Sequence, residues 1–265
     1  MNVITGLPRS GSTLLCNILS QNPAFRVSST SALPQIISTI VSTYSNNPEF
    51  KSDLINDKED TEAKIHRSLK AFCDGWYHDN RVIFDKSRGW LHHFPILRKL
   101  YSNSKIICCV RDLREVYASI EKQYLKNPLL DDTTTPLQKG VWERADIMFK
   151  KDGVIGHCVE GMLDMDRRKA GAFCIPFDSF VENPEELFIA LYDYLEQPYF
   201  EHDFENVENV ATDVDGLYLH KFPHGGSGKV RPQKGHWSDF VSADIAKDIM
   251  ERFRFFNEVY RLPIE

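Results

Sequence analysis

Two hydrophobic periods alternate along this chain, and their order sets the expected architecture. Continuous apolar runs at Met1–Thr5, Arg81–Asp85, Lys105–Val110 and Gly171–Phe177 are short and end at glycine, charge or proline. Such runs read as strands buried on both faces. Between them the period lengthens to that of a helix. Leu14–Leu19 is helix-like and stops at Asn22-Pro23; Leu33–Tyr44 carries Ile36, Ile37, Ile40, Val41 and Tyr44 at helical spacing. Thr61–Tyr77 places Ile65, Leu69, Phe72, Cys73 and Trp76 on one face, and Leu91–Tyr101 and Leu113–Tyr124 continue the pattern. Further helices are predicted over Gln138–Lys151, His157–Lys169, Glu185–Leu195 and Ala243–Tyr260. Polar stretches at 46–60 and 126–136 read as exposed loops, and the acidic stretch 201–215 has no clear period. Glycine and basic residues dominate 223–235, which predicts a mobile surface segment. Short buried strands alternating with helices predict an α/β fold of three layers, a central parallel sheet flanked by helices.

Composition narrows this picture without redirecting it. A length of 265 residues fits one domain, residues 1–265, with a substantial core. A net charge of −6 leaves no global basic field, so nucleic acid is not an expected partner and any anion site must be local. The six cysteines, Cys16, Cys73, Cys108, Cys109, Cys158 and Cys174, show no CxxC pair or metal-ligand spacing and read as reduced thiols, with no metal expected. No signal peptide precedes the first strand, and no apolar run approaches the roughly 20 residues of a membrane span. The expectation is a cytoplasmic protein.

The candidate chemistry begins in the first loop. Gly6-Leu7-Pro8-Arg9-Ser10-Gly11-Ser12-Thr13 joins the first strand to the first helix, a layout that aims backbone N–H groups at a phosphate. The glycine spacing is that of GxxxxGK[ST], with Ser12 where the lysine belongs. That lysine serves the β- and γ-phosphates of a nucleoside triphosphate, so its absence argues against ordinary ATP or GTP hydrolysis. Arg9 offers positive charge from another direction. Arg111 ends a predicted buried strand, and Ser119 lies two helical turns further on the same face. An arginine and a hydroxyl so placed suit a second phosphate; an ion pair of Arg111 with Asp112 or Glu115, and a solvent-facing Ser119, are the plainer alternatives. In parallel sheets ligands sit beyond the carboxyl ends of the strands. The first loop, Asp85–Arg88, Arg111–Asp112 and Phe177–Asp178 are therefore expected to converge.

Four stretches in this order resemble the sulfotransferase family. Residues 6–15 look like its 5′-phosphosulfate loop. Val110-Arg111-Asp112 with Ala118-Ser119 resembles its 3′-phosphate motif. Phe177-Asp178-Ser179-Phe180 followed by Asn183-Pro184 is similar to its Tyr-Glu-Asp-Leu segment, and Lys234-Gly235-His236-Trp237 resembles its late Gly-x-Trp element. The resemblance implies a P-loop-like sulfotransferase fold and transfer of a sulfuryl group from 3′-phosphoadenosine-5′-phosphosulfate (PAPS) to a hydroxyl or amine. It implies that Pro8, Arg9, Ser10, Gly11, Ser12 and Thr13 hold the 5′-phosphosulfate. Arg111 and Ser119 then take the 3′-phosphate, with Arg231, Lys234 and Gly235 adding to it. Trp237 or Phe177 borders the adenine, core packing being the alternative for both rings.

The catalytic base is the open position. The tyrosylprotein branch has a glutamate shortly after the first helix, and Asn22 to Thr30 holds no carboxylate here. The small-molecule cytosolic branch has Lys-Thr-His after a strand, and this chain has Lys86-Ser87-Arg88. Lys86 is thus the expected charge on the bridging oxygen, and the base is Asp85, His92, His93 or none, with Asp85 first. Acceptor-facing segments are expected at Thr30–Tyr44, Ile65–His78 and Asn127–Trp142, whose residues suit a small molecule, a carbohydrate or a peptide tyrosine alike. Two other functions fit the same loop: a P-loop small-molecule kinase, and a nucleotide-binding module without catalysis. The sequence says nothing of oligomeric state.

Overall fold

The computed structural model describes residues 1–126, 139–210, 228–232 and 235–263. Among these residues five strands form one parallel sheet: β1 (Asn2–Gly6), β2 (Phe25–Val27), β3 (Val82–Lys86), β4 (Ile106–Val110) and β5 (Phe173–Pro176), in the order β2-β3-β1-β4-β5. The side-chain period of two sorts β4 residue by residue. Ile106, Cys108 and Val110 join the hydrophobic cluster on one face, and Ile107 and Cys109 join the cluster on the other. Both faces are covered, which makes the strands read as unbroken apolar runs.

On one face lie α1 (Ser12–Leu19), α9 (Phe177–Glu182) and α10 (Pro184–Leu195). The larger cluster on the other face draws on α2 (Leu33–Asn46), α4 (Lys58–Tyr77), α5 (Trp90–Leu100), α6 (Leu113–Lys126), α7 (Val141–Phe149), α8 (Val154–Arg167), α11 (Ala243–Arg252) and α12 (Arg254–Val259). Helix α3 (Pro48–Asn56) buries none of its residues. The result is the expected three-layer α/β arrangement.

Three elements differ from the sequence reading, each for a local reason. Stretch 46–60 is helical, because one side-chain cap starts a helix that apolar periodicity does not reveal and a second begins the next helix ahead of its apolar face. The Asn47 side chain accepts from the Phe50 N–H at 2.8 Å to start α3, and Asp57 accepts from the Asp60 N–H at 3.1 Å to start α4. Strand β2 follows Pro23 and has only three residues, too few to show a period. The predicted C-terminal helix breaks at Phe253, with φ −115°, so its apolar positions divide between α11 and α12.

The chain runs outward from β1 to β2, returns through β3, and crosses to β4 on the other side of β1. This reversal opens a crevice at the carboxyl end of β1. Gly6 faces Cys109 there so closely that an added Cβ would lie 2.1 Å from the Cys109 carbonyl oxygen, at φ +125°. Only glycine fits this crossing from strand to loop.

Candidate active site at the carboxyl rim of the sheet

The loop after β1 turns through two left-handed residues. Arg9 has φ 57° and Gly11, the N-cap of α1, has φ 84°. The Ser10 hydroxyl donates to the Leu7 carbonyl at 2.6 Å inside the turn, and the Leu15 N–H donates to the Gly11 carbonyl at 3.0 Å to begin the helix. The backbone N–H groups of Ser12 and Thr13 are thus in the first turn, where no intrahelical acceptor exists for them. A Cβ on Gly11 would come within 2.7 Å of the buried Phe177 ring. Phe177, at the start of α9, and Phe180, fully buried one turn on, therefore hold the loop from below. Phe177 has the packing role that was the alternative to bordering an adenine.

Arg111 is buried at 4% exposure where β4 ends. One of its terminal nitrogens donates to the Arg9 carbonyl at 3.1 Å, and another pairs with Glu115 at 3.3 Å. Its guanidinium lies over the Phe177 ring, 4.4 Å from the centroid. Burial lowers its pKa and the carboxylates of Glu115, Asp178 and Asp112 oppose that shift. The ion pair with Glu115 is present and partly buried, and it lies in one cluster with the Arg9 carbonyl and the Phe177 ring. Asp112 pairs elsewhere, with Arg114 at 2.8 Å, and caps α6 by accepting the Arg114 N–H. The Arg9 side chain crosses to the same place: its Nε donates to the Ser119 hydroxyl at 3.2 Å. The expected 5′-facing arginine is thus turned toward the residues of the second anion position. The loop and the Arg111–Ser119 pair form one connected unit through Arg9, whose carbonyl and guanidinium are held by the two members of that pair.

Lys86, the last residue of β3, donates to the Thr13 hydroxyl at 2.8 Å. Its backbone N–H donates to the Ser28 hydroxyl at 3.0 Å, and its carbonyl accepts the Ser31 N–H at 3.0 Å. The lysine therefore stands at the mouth of the first loop with both backbone groups fixed.

Asp85 departs from the reading of it as the base. Alternation along β3 turns it to the face opposite Lys86, and it is 0% exposed. It accepts from the Trp90 indole at 2.6 Å, from the Tyr77 hydroxyl and from the Ser31 hydroxyl. Burial raises its pKa against the pull of those three donors. A fully enclosed carboxyl group with three protein donors ties α4, α5 and the β2–α2 loop to the sheet; it is not placed to take an acceptor's proton. His92 turns to the seam between α5 and α8. Its ring lies 3.9 Å from that of His157, centroid to centroid, and its Nε2 is 3.1 Å from the His157 carbonyl oxygen. His93 Nδ1 is 2.8 Å from the Gly89 carbonyl oxygen within its own helix start.

Of the late segment, Arg231 is exposed, Gly235 turns at φ +110° and Lys234 lies outside the described residues. So do 127–138, which hold most of one expected acceptor segment, and most of 223–235. Trp237, in a short 3₁₀ turn (Trp237–Asp239), donates its backbone N–H to Glu115 at 2.8 Å, and Arg114 lies 5.2 Å from its ring centroid. Glu115 therefore bridges Arg111 and Trp237. In the sequence it stands only as an ion-pair partner; its position one turn after Arg111 is the available signal. Ser28, Ser31, Tyr77 and Trp90 escape sequence reasoning, since nothing in their spacing marks them.

Comparison with known proteins bears on the family and the fold. The sequence profile described as "Sulfotransferase family" matches residues 3–201. The chain belongs to the sulfotransferase family. The match ends before Trp237, so the late Gly-x-Trp likeness lies outside it. A Caenorhabditis briggsae protein named "Putative protein-tyrosine sulfotransferase" is 22% identical over 224 residues, covering 80% of this chain and 71% of that protein. Two solved structures share the fold. The sulfotransferase domain of the Synechococcus PCC 7002 olefin synthase superposes with a TM-score of 0.55 at 17% identity, covering 96% of this chain and 94% of that one. Mouse sulfotransferase SULT7A1 complexed with PAP superposes with a TM-score of 0.54 at 11% identity, covering 97% of this chain and 84% of that one. Among the described residues no helix is long and apolar enough to cross a membrane.

Proposed function

We propose that residues 1–265 form one domain that transfers a sulfuryl group from PAPS to a hydroxyl acceptor. The observation that carries this reading is the connected pair of anion positions. Lys86 meets Thr13 at the first loop, and Arg111 and Ser119 meet Arg9 behind it. A donor with a 5′-phosphosulfate and a separate 3′-phosphate needs two such positions; a nucleoside triphosphate needs one chain of phosphates and the lysine that Ser12 replaces. The residues fit that donor. The cradle beside Phe177 admits only a glycine at Gly11, and cationic and hydroxylic side chains, Lys86 with Thr13 and Arg9 with Ser119, lie near it.

When bound, PAPS supplies the sulfuryl group and the adenosine bisphosphate that leaves. This chain's part is positioning and charge. The N–H groups at the start of α1 orient the 5′ end, and the Thr13 hydroxyl and Lys86 Nζ lie beside them. Lys86 stabilises the negative charge that develops on the bridging oxygen, a role suited to a cation at fixed distance from the loop. Arg111 and Ser119 bind the 3′-phosphate through a charge-assisted contact and a hydroxyl. Glu115 holds Arg111 in place and ties the Trp237 turn to it. The acceptor approaches from the β3 side, past Lys86 and the segments at 30–44 and 65–78. The name of the Caenorhabditis briggsae relative makes a peptide tyrosine the first acceptor to try.

Transfer from labelled PAPS to tyrosine peptides, carbohydrates and small phenols tests the reading. Turnover on at least one class, reduced about 10²–10³-fold in Lys86→Ala, is the expected result. Bisphosphate binding without turnover on any class would favour the non-catalytic module.

A further inference from the structure

Cys108 on β4 and Cys174 on β5 are register partners in the parallel sheet. Register partners carry their side chains on the same face, and neighbouring strands lie about 4.8 Å apart. That spacing is inside the roughly 4.4–6.8 Å between Cα atoms that a disulfide spans. Each thiol acts on the pKa of the other, as expected for side chains on one face of neighbouring strands. Their environments differ: Cys108 is fully buried, whereas Cys174 is exposed on β5, the last strand of the sheet. No other pair among the six cysteines combines these features. Cys16 and Cys109 are both buried on the opposite face, and Cys73 and Cys158 are buried on separate helices.

We propose that Cys174 and Cys108 form an oxidation site, in which a peroxide reacts at Cys174 and Cys108 closes a disulfide between β5 and β4. In the first step the Cys174 thiolate attacks one peroxide oxygen. An S–O bond forms, the O–O bond breaks, and the departing hydroxide takes up a proton to leave as water. In the second step the Cys108 sulfur attacks the Cys174 sulfenic acid. The S–S bond forms, the S–O bond breaks, and hydroxide leaves with the Cys108 proton as a second water. Two thiols are oxidised and one peroxide is reduced to two waters. The mutual influence of the thiols favours this order. The Cys108 S–H stabilises the Cys174 thiolate and lowers the Cys174 pKa, while that interaction and burial raise the pKa of Cys108. Burial acts against the Cys174 shift, and the negative charge of Asp166 does so to a smaller extent.

The position of the pair gives the crosslink a consequence. Three residues beyond Cys108 is Arg111, and three beyond Cys174 is Phe177, and the Arg111 guanidinium lies on the Phe177 ring. A disulfide fixes the spacing of the two strands that carry this stacked pair. The bridged protein is expected to bind 3′,5′-adenosine bisphosphate several-fold more weakly than the reduced one. This last expectation rests on the proposed donor.

The test treats the full chain with hydrogen peroxide, alkylates the remaining thiols and maps peptides by mass spectrometry. The expected result is a linked peptide containing Cys108 and Cys174, cleaved by dithiothreitol and absent in Cys174→Ser. In Cys108→Ser, Cys174 is expected to persist as a sulfenic acid that dimedone traps. Because a substitution at buried Cys108 can impair folding, the wild-type and Cys174→Ser maps decide the matter by themselves. Full alkylation of Cys108 after peroxide, or Cys174 found only as a sulfinic acid or in a disulfide between two chains, would overturn the site. Equal bisphosphate affinity of bridged and reduced protein would overturn its link to Arg111 and Phe177. Failure of the reduced protein to bind the bisphosphate would count against the donor assignment, while the peptide map still decides whether the thiols react.

Discussion

On the β1–β4–β5 half of the carboxyl rim, each candidate anion-binding group is held by a second protein group. Arg111 is fixed by the Arg9 carbonyl, Glu115 and the Phe177 ring, and Arg9 by Ser119. On the β3–β2 half, two adjacent residues of one strand have opposite fates. Lys86 reaches Thr13 in the first loop, while Asp85 is enclosed on the other face by Tyr77 and Trp90. The difference lies in what sets each position. The first half is built by backbone: a left-handed turn, a glycine with no room for a Cβ, and the ends of two paired strands. The second is decided by which face of a strand a side chain takes. A shift of one residue along a strand exchanges the two faces.

The sharpest way to probe the comparison is Lys86→Ala. If Lys86 stabilises charge in the transition state, turnover falls about 10²–10³-fold, or about 2.7–4 kcal/mol. Bisphosphate affinity measured by calorimetry changes little. A loss of affinity with intact turnover would move Lys86 to the donor-binding half.

Arg111→Ala should show the reverse pattern. A hydrogen bond to a charged group contributes about 1.5–3 kcal/mol, so the donor KM rises roughly ten- to a hundredfold. The turnover number at saturating donor changes far less. Steady-state kinetics with donor concentration varied separates the two outcomes.

Gly11→Ala tests the backbone-built half without touching charge. A residue forced to φ 84° with its Cβ 2.7 Å from the Phe177 ring is strained by about 1–3 kcal/mol. The denaturant midpoint should drop accordingly, and Phe177→Leu should recover part of the loss by making room.

Asp85→Asn tests the other half. Asparagine offers one acceptor oxygen and two N–H groups to a site whose partners are donors, at a cost of about 1–3 kcal/mol in stability. Turnover per folded molecule should remain that of the wild type. Loss of turnover at full stability would restore Asp85 as the base.

A further expected effect lies far from the rim. Burial lowers the pKa of His202, between Tyr192 and Gln21, from 6.5 to about 4. The unfolded chain binds this proton first as pH falls, so stability is complete above about pH 6.5 and declines toward pH 4. Thermal denaturation across that window should show the slope, and His202→Gln should flatten it.

What is legible in the sequence follows the same division. The strands β1, β3, β4 and β5 and most helices announce themselves by period, because both sheet faces are buried. The first loop and Arg111–Ser119 are legible because glycine and fixed helical spacing are backbone constraints written in residue type. Strand β2 is too short to show a period, and α3 rests on the Asn47 cap rather than on an apolar face. Asp85 is misassigned from sequence because residue type does not say which neighbour on a strand faces the cleft when both are polar. Glu115 is undervalued there because its second contact, Trp237, is 122 residues away.

The first loop and Arg111–Ser119 form, on this account, two anion positions for one bisphosphate nucleotide. Titration calorimetry of the reduced full chain with 3′,5′-adenosine bisphosphate and, separately, with ATP and Mg²⁺ tests this most directly. The account predicts binding of the bisphosphate, weakened at least tenfold in Arg111→Ala, and much weaker binding of ATP. Binding of ATP alone, or bisphosphate binding indifferent to Arg111, would contradict it.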